Sequence, residues 1–248
     1  GISALLCFVY ILKRFPILHL KREDFRISFH SFGRLLALGI PMGLQFSITA
    51  IGTIIVQGAV NIYGEIYMAG FSAASKLQNM LMTVFTAFGA TIATYVGQNR
   101  GAGKMDRIRE GVRCTQFMTI GWSVIMMAVM YFCSEYMTWL FIDPSETEVV
   151  NASVTYFHTV CWFYPFLGSI FLYRNTLQGM GYGLVPMLGG IFELIARSGI
   201  VLIVAGHASF AGVCFSDPAA WIAALIALVP YYFYRMHKFS KASALQKN

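Results

Sequence analysis

Seven long stretches of this chain contain no Asp, Glu, Lys or Arg, and their lengths constrain the fold more than any other feature. They cover residues 35–64, 77–99, 114–134, 149–173, 175–192, 198–216 and 218–234. A bilayer hydrocarbon core about 30 Å thick is crossed by about 20 apolar residues in a helix rising about 1.5 Å per residue. The uncharged stretches match that requirement. Only 12% of the 248 residues are charged and 57% are hydrophobic, whereas a water-soluble domain carries about 25% charged residues. Too little polar side chain remains to cover a water-facing exterior, which excludes a soluble enzyme and a disordered tail. The pattern predicts an all-α, polytopic membrane protein. Its six transmembrane helices are expected near residues 34–63, 68–97, 112–141, 147–178, 184–206 and 216–237, forming one body over 34–237 with a basic tail at 238–248.

The first residues fit this scheme differently. Residues 1–12 are uncharged and mostly apolar but too short to span, and the chain opens on Gly1. No basic region precedes the run, and Lys13 and Arg14 follow it, so it does not read as a signal peptide. Residues 1–14 are expected to be the end of a preceding transmembrane helix and 15–33 a cytoplasmic connection. The chain is then expected to be the C-terminal piece of a longer protein.

Placing Lys and Arg on alternate sides of the six helices tests the count, because cytoplasmic loops of membrane proteins carry the basic excess. One side receives Lys13, Arg14, Lys21, Arg22, Arg26, Arg34, Arg100, Lys104, Arg107, Arg109, Arg113, Arg174, Arg235, Lys238, Lys241 and Lys247. Only Lys76 falls at the opposite side, and Arg197 lies inside a helix. The other side holds Glu65, Glu135, Asp143, Glu146, Glu148 and Asp217. The first connection and the C-terminus are therefore expected in the cytoplasm of a multi-pass cell-membrane protein. The net charge of +7 becomes a topology signal rather than a sign of nucleic-acid binding.

No catalytic or metal-binding constellation emerges. Cys7, Cys114, Cys133, Cys161 and Cys214 form no CxxC pair and have no His at metal-ligand spacing. A Cys133–Cys214 disulfide near the outer face is geometrically conceivable. Of His19, His30, His158, His207 and His237, only His158 lies well inside an expected helix. It reads either as a hydrogen-bonded group within the bundle or as a proton carrier. Without a His–Asp or GxSxG nucleophile arrangement, the chain does not read as an enzyme, and no cofactor is expected.

Polar groups inside apolar spans are costly unless they face protein or a wet cavity, which makes them the candidate functional residues. Gln45, Thr49 and Asn61 lie near one face of the first span, Lys76 opens the second, and Asn175 and Gln178 close the fourth. These six are candidates for lining a substrate cavity. Hydrogen bonding between helices is the alternative role for Gln45 and Asn61. Glu193 and Arg197, four residues apart in the fifth span, sit where side chains on one helix meet. They read as a mutual ion pair, as coupling charges lining a cavity, or as both. Gly39, Pro41, Gly43, Pro165, Gly179, Gly181, Gly183 and Pro186 mark bends and turns, and broken helices surround many transporter sites.

Several of these segments resemble one transporter family. The run Gly39–Gln45 opening a long helix that ends at Asn61 and Gly64, followed by Met68 and Gly70, is similar to the seventh helix and turn of the multidrug and toxic compound extrusion (MATE) family. The loop Val96–Gly103 followed by Lys104 and Asp106 is the most specific similarity. Residues Leu177–Gly181 with Pro186, then Glu193 and Arg197, resemble that family's tenth-to-eleventh helix passage. The resemblance covers residues 30–237 in order. It implies a twelve-helix antiporter of two six-helix lobes, of which this chain is the C-terminal lobe plus the end of helix six. It further implies export of small molecules, often organic cations, in exchange for Na⁺ or H⁺, with the lipid bilayer and the N-terminal lobe as partners. Two carboxylates that many members use for cation coupling align with Thr49 and Leu167 here. Coupling is therefore expected mainly in the N-terminal lobe. A lipid-linked oligosaccharide flippase of the same superfamily and a non-transporting membrane scaffold are the alternatives.

Overall fold

The computed structural model describes residues 1–16, 28–204 and 209–245, with side chains described to residue 239; no strand occurs among them. Most of the expected connection at 15–33, together with His19, His207 and the last three residues of the basic tail, lies outside the described residues. The chain divides into two units, residues 1–37 and 38–248. In the first, α1 (Ile2–Arg14) has 13 residues, none buried, with Lys13 and Arg14 in its last turn. It rises about 20 Å, less than the hydrocarbon thickness.

The longer helices are α2 (Phe29–Asn61), α3 (Glu65–Gly101), α4 (Met105–Thr138), α7 (Leu184–Val204) and α9 (Ser216–Leu245). Shorter α5 (Thr147–Val160), α6 (Tyr164–Gly179) and α8 (Phe210–Cys214) complete the order. Among the described residues, five stretches are long and apolar enough to cross a membrane: α2, α3, α4, α7 and Phe210–Phe239. The helix expected at 147–178 is the exception. It is two helices, α5 and α6, joined by a 3₁₀ turn at Cys161–Phe163. Pro165, in the first turn of α6, has no N–H to donate to the carbonyl four residues back, so the α-helical ladder is interrupted there. Elsewhere α3 and α4 begin earlier than the uncharged stretches suggest, because Glu65 and Asp106 occupy first turns, where acidic side chains favour the helix dipole.

In the second unit α7 packs most extensively on α9, and α3 is central, lying against α4, α5 and α6. Close crossings occur at glycines. A Cβ on Gly70 of α3 would stand 2.7 Å from Ala152 Cβ of α5, and one on Gly179 of α6 would stand 2.5 Å from the Ala93 carbonyl of α3. Between α6 and α7 the chain turns at Gly181, with φ +77°. There the Tyr182 N–H returns 2.9 Å to the Leu177 carbonyl, a helix stop that favours glycine. Apolar core residues such as Phe85, Tyr156, Tyr164 and Leu228 are fully buried, while Phe46, Ile54, Phe132 and Leu202 face outward. An apolar exterior suits hydrocarbon as the surrounding solvent.

Candidate functional site

Polar side chains from five helices converge on a cavity of about 310 Å³ within the second unit. From α2 come Thr49, Thr53 and Gln57, spaced by four residues along one helix face. From α3 come Ser75, Gln78 and Asn79, and from α5 comes Tyr156. Arg197 of α7 and Asp217 of the first turn of α9 close the lining.

Those last two residues form an ion pair between helices, with Arg197 Nη2 3.0 Å and Nε 3.1 Å from Asp217 Oδ1. The Tyr156 hydroxyl lies 2.9 Å from Asp217 Oδ2 and 3.0 Å from Gln78 Oε1. One chain of contacts thus runs from α7 through α9 and α5 to α3. Both carboxylate oxygens accept hydrogen bonds, which offsets the cost of holding the charge away from water. Arg197 also packs under α2: a Cβ on Gly52 would lie 3.2 Å from its Nη1. A second ion pair joins Arg174 of α6 to Glu193 of α7. Near it, Gln178 Nε2 of α6 donates 3.1 Å to Gln45 Oε1 of α2.

These contacts correct the expected partnership of Glu193 and Arg197. Although four residues apart on α7, they do not pair with each other; each reaches a charge on a neighbouring helix. The i,i+4 spacing allows a contact, but Arg174 and Asp217 supply partners that spacing along one helix does not reveal. Arg174 lies within α6, inside the span expected at 147–178, and reaches inward to Glu193, while Asp217, counted among the acids of the outer side, lines the cavity. Glu193 is deeply buried, and Asp217, its side chain 14% exposed, adds a second acid that faces the cavity.

The remaining candidates separate. Thr49 lines the cavity, and Gln45 is buried beside it in the bridge to Gln178. Asn61, at the exposed end of α2, accepts from Gln57 Nε2 at 3.2 Å and does not line the cavity. Lys76 points outward, its ammonium 6.0 Å from the Phe141 ring, because one residue along a helix turns the side chain about 100° away from Ser75. Asn175 donates to the Phe171 carbonyl and packs against Gly89 of α3. Leu167 is a buried core residue. His158 is exposed rather than held inside the bundle, stacked on Tyr131 at 4.8 Å and 3.1 Å from its carbonyl oxygen. All five cysteines are free, with Cys133 exposed and Cys214 buried. Tyr156 and Thr53 line the cavity without having been expected there. Thr53 carried a signal, since Thr49, Thr53 and Gln57 repeat at one helical face, whereas Tyr156 belongs to no such polar repeat.

Comparison with known proteins places these observations. The MatE family model matches residues 41–203. Among curated relatives, the probable multidrug resistance protein YpnP of Bacillus subtilis (strain 168) is 27% identical over 147 residues, covering 59% of this chain and 33% of that protein. The probable multidrug resistance protein YoeA of the same organism is 23% identical over 201 residues, covering 80% of this chain and 43% of that protein. Among solved structures, that of a MATE protein in complex with MaL6 superposes with a TM-score of 0.87 at 17% identity, over 97% of this chain and 55% of that one. The chain spans about half the length of these relatives.

Proposed function

Because the chain belongs to the MatE family, we propose that it forms the C-terminal half of a cell-membrane antiporter that exports drugs or other toxic organic compounds. Na⁺ or H⁺ entering in exchange drives the cycle, which proceeds by alternating access. Small organic molecules, often cationic, are the substrates, and an N-terminal lobe is the partner that completes the translocation path. Lys and Arg placement supports a cytoplasmic C-terminus.

The observation that carries this reading is the polar cavity inside a lobe whose exterior is apolar. A purely structural bundle has little reason to gather Thr49, Thr53, Gln57, Ser75 and Asn79 around open space: Thr53 and Gln57 bond back along their own helix, but the buried Thr49 hydroxyl has no protein partner and needs water or a ligand. Its aromatic and apolar lining, from Phe71, Met82 and Trp221, adds surface for an amphipathic molecule. The carboxylates of Asp217 and Glu193 are engaged by arginines, so a coupling cation would have to compete with a guanidinium for either charge. Thr49 and Leu167 add no charge. These features support coupling chiefly through the other lobe, with this lobe forming cavity wall.

Filling the cavity tests the proposal without removing a charge. In cells carrying the full-length protein, Thr53→Trp is expected to reduce ethidium efflux, with membrane-inserted protein at the wild-type level. Unchanged efflux would take the cavity out of the transport route.

A further inference from the structure

A second cleft, of about 510 Å³, opens between α4, α6 and α9 and is separate from the transport cavity. Its character is basic at one end and apolar at the other. Arg109 and Arg113 line it from α4, and His237 lines it from α9. One turn further along each helix stand Phe117 and Phe233, which are 71% and 57% exposed. Arg109 Nη2 lies 3.3 Å from the Met236 carbonyl, so the beginning of α4 and the distal part of α9 sit at the same level. Along the cleft α4 therefore grades from cationic to aromatic in the same direction in which α9 grades from His237 to Phe233.

Depth in a bilayer gives this grading a meaning. The 34 residues of α4 rise about 51 Å, so about 10 Å extends beyond a 30 Å hydrocarbon core at each end. Arg113 lies about 12 Å from the start of α4, at the boundary between headgroups and acyl chains, and Phe117 lies within the acyl region. No carboxylate lines the cleft, and among the described residues neither Arg109 nor Arg113 has an ion-pair partner. Two uncompensated guanidiniums above exposed aromatic rings match an anionic amphiphile in charge and in polarity profile.

We propose that this cleft binds an anionic phospholipid of the surrounding bilayer. Arg109 and Arg113 take its phosphodiester, and Phe117 and Phe233 lie along its acyl chains. The guanidinium fork suits phosphate oxygens, and a zwitterionic headgroup would bring its own cation towards the arginines. A bound lipid would bridge α4 and α9 at the face where they meet.

Native mass spectrometry of the full-length protein, titrated with palmitoyl-oleoyl phosphatidylglycerol or phosphatidylcholine, tests this. Wild type is expected to prefer phosphatidylglycerol by about 30-fold, from two basic groups near a lipid phosphate. The double variant Arg109→Gln/Arg113→Gln should bind both lipids equally, and Arg109→Lys/Arg113→Lys should keep most of the preference. Arg107→Gln, on α4 but outside the cleft, should leave it intact. Persistence of the preference in the glutamine double variant would overturn the proposal, as would an equal loss in Arg107→Gln. Displacement of phosphatidylglycerol by inorganic phosphate at the same concentration would overturn the lipid assignment.

Discussion

Arg174 and Glu193 face each other between α6 and α7 with side chains only 13% and 4% exposed. Breaking such a pair leaves a buried charge without a partner, which costs about 3–5 kcal/mol, whereas replacing both by apolar residues is often neutral. Glu193→Gln is therefore expected to lower thermal stability in detergent sharply, and Arg174→Met/Glu193→Leu to recover most of it. If Glu193→Gln melts like wild type, the pair contributes no stability. Loss of efflux in Glu193→Gln should accordingly be interpreted beside its stability and beside the double variant. Tyr156 behaves differently, because Tyr156→Phe removes one hydroxyl while keeping the ring. It should cost about 1–3 kcal/mol by leaving the Asp217 Oδ2 without its hydroxyl donor. Far from the cavity, the Ser145 N–H and hydroxyl hold the Asp143 carboxyl below its ordinary value near 3.8. A lowered folded-state pKa contributes order that is present above the ordinary value and lost as pH falls through the folded one. Amide exchange at Ser145, corrected for intrinsic rate, should therefore accelerate as pH is lowered through and below the ordinary carboxylate range and be insensitive to pH in Asp143→Asn.

Helix crossings in the second unit depend on small residues because lipid supplies no hydrophobic drive between helices, so close backbone approach must hold them together. Gly70 and Gly179 meet their neighbours so closely that an added methyl has no space. Gly70→Ala and Gly179→Ala are each expected to destabilise by about 1–3 kcal/mol, measured by thermal unfolding. Gly121→Ala, on α4 with nothing within 4 Å of the new methyl, should not destabilise. Equal melting of Gly70→Ala and Gly121→Ala would remove the crossing from the account. Sequence made most helices legible, since uncharged length is a property of the chain alone. The α5–α6 break was only partly legible: Pro165 announced a bend, but whether a proline kinks a helix or ends it depends on its packing. Pro41 and Pro230 remain inside α2 and α9.

For the whole molecule, topology and transport set the expectations. Green fluorescent protein fused after Asn248 should fluoresce, and periplasmic alkaline phosphatase at the same point should be inactive; the reverse would overturn the cytoplasmic C-terminus. If the proposed alternating-access cycle holds, residues 1–248 expressed alone are expected to sustain no drug efflux, because the cycle needs a second lobe as its opposing wall; efflux from that fragment would overturn the proposal. By itself the sequence determined that the chain is helical and membrane-spanning, and its motifs pointed to its family. Those features rest on local quantities: the length of apolar runs and residue types at fixed spacing. It also showed that polar residues must meet inside, because Thr49, Gln45, Glu193 and Arg197 cannot all face lipid. Only the tertiary structure decided which ones meet. Arg197 pairs with Asp217, Arg174 with Glu193, and Asn61 and Lys76 turn away. The rotation of each helix about its axis and the neighbour it packs against select these partners, and neither is a property of one segment.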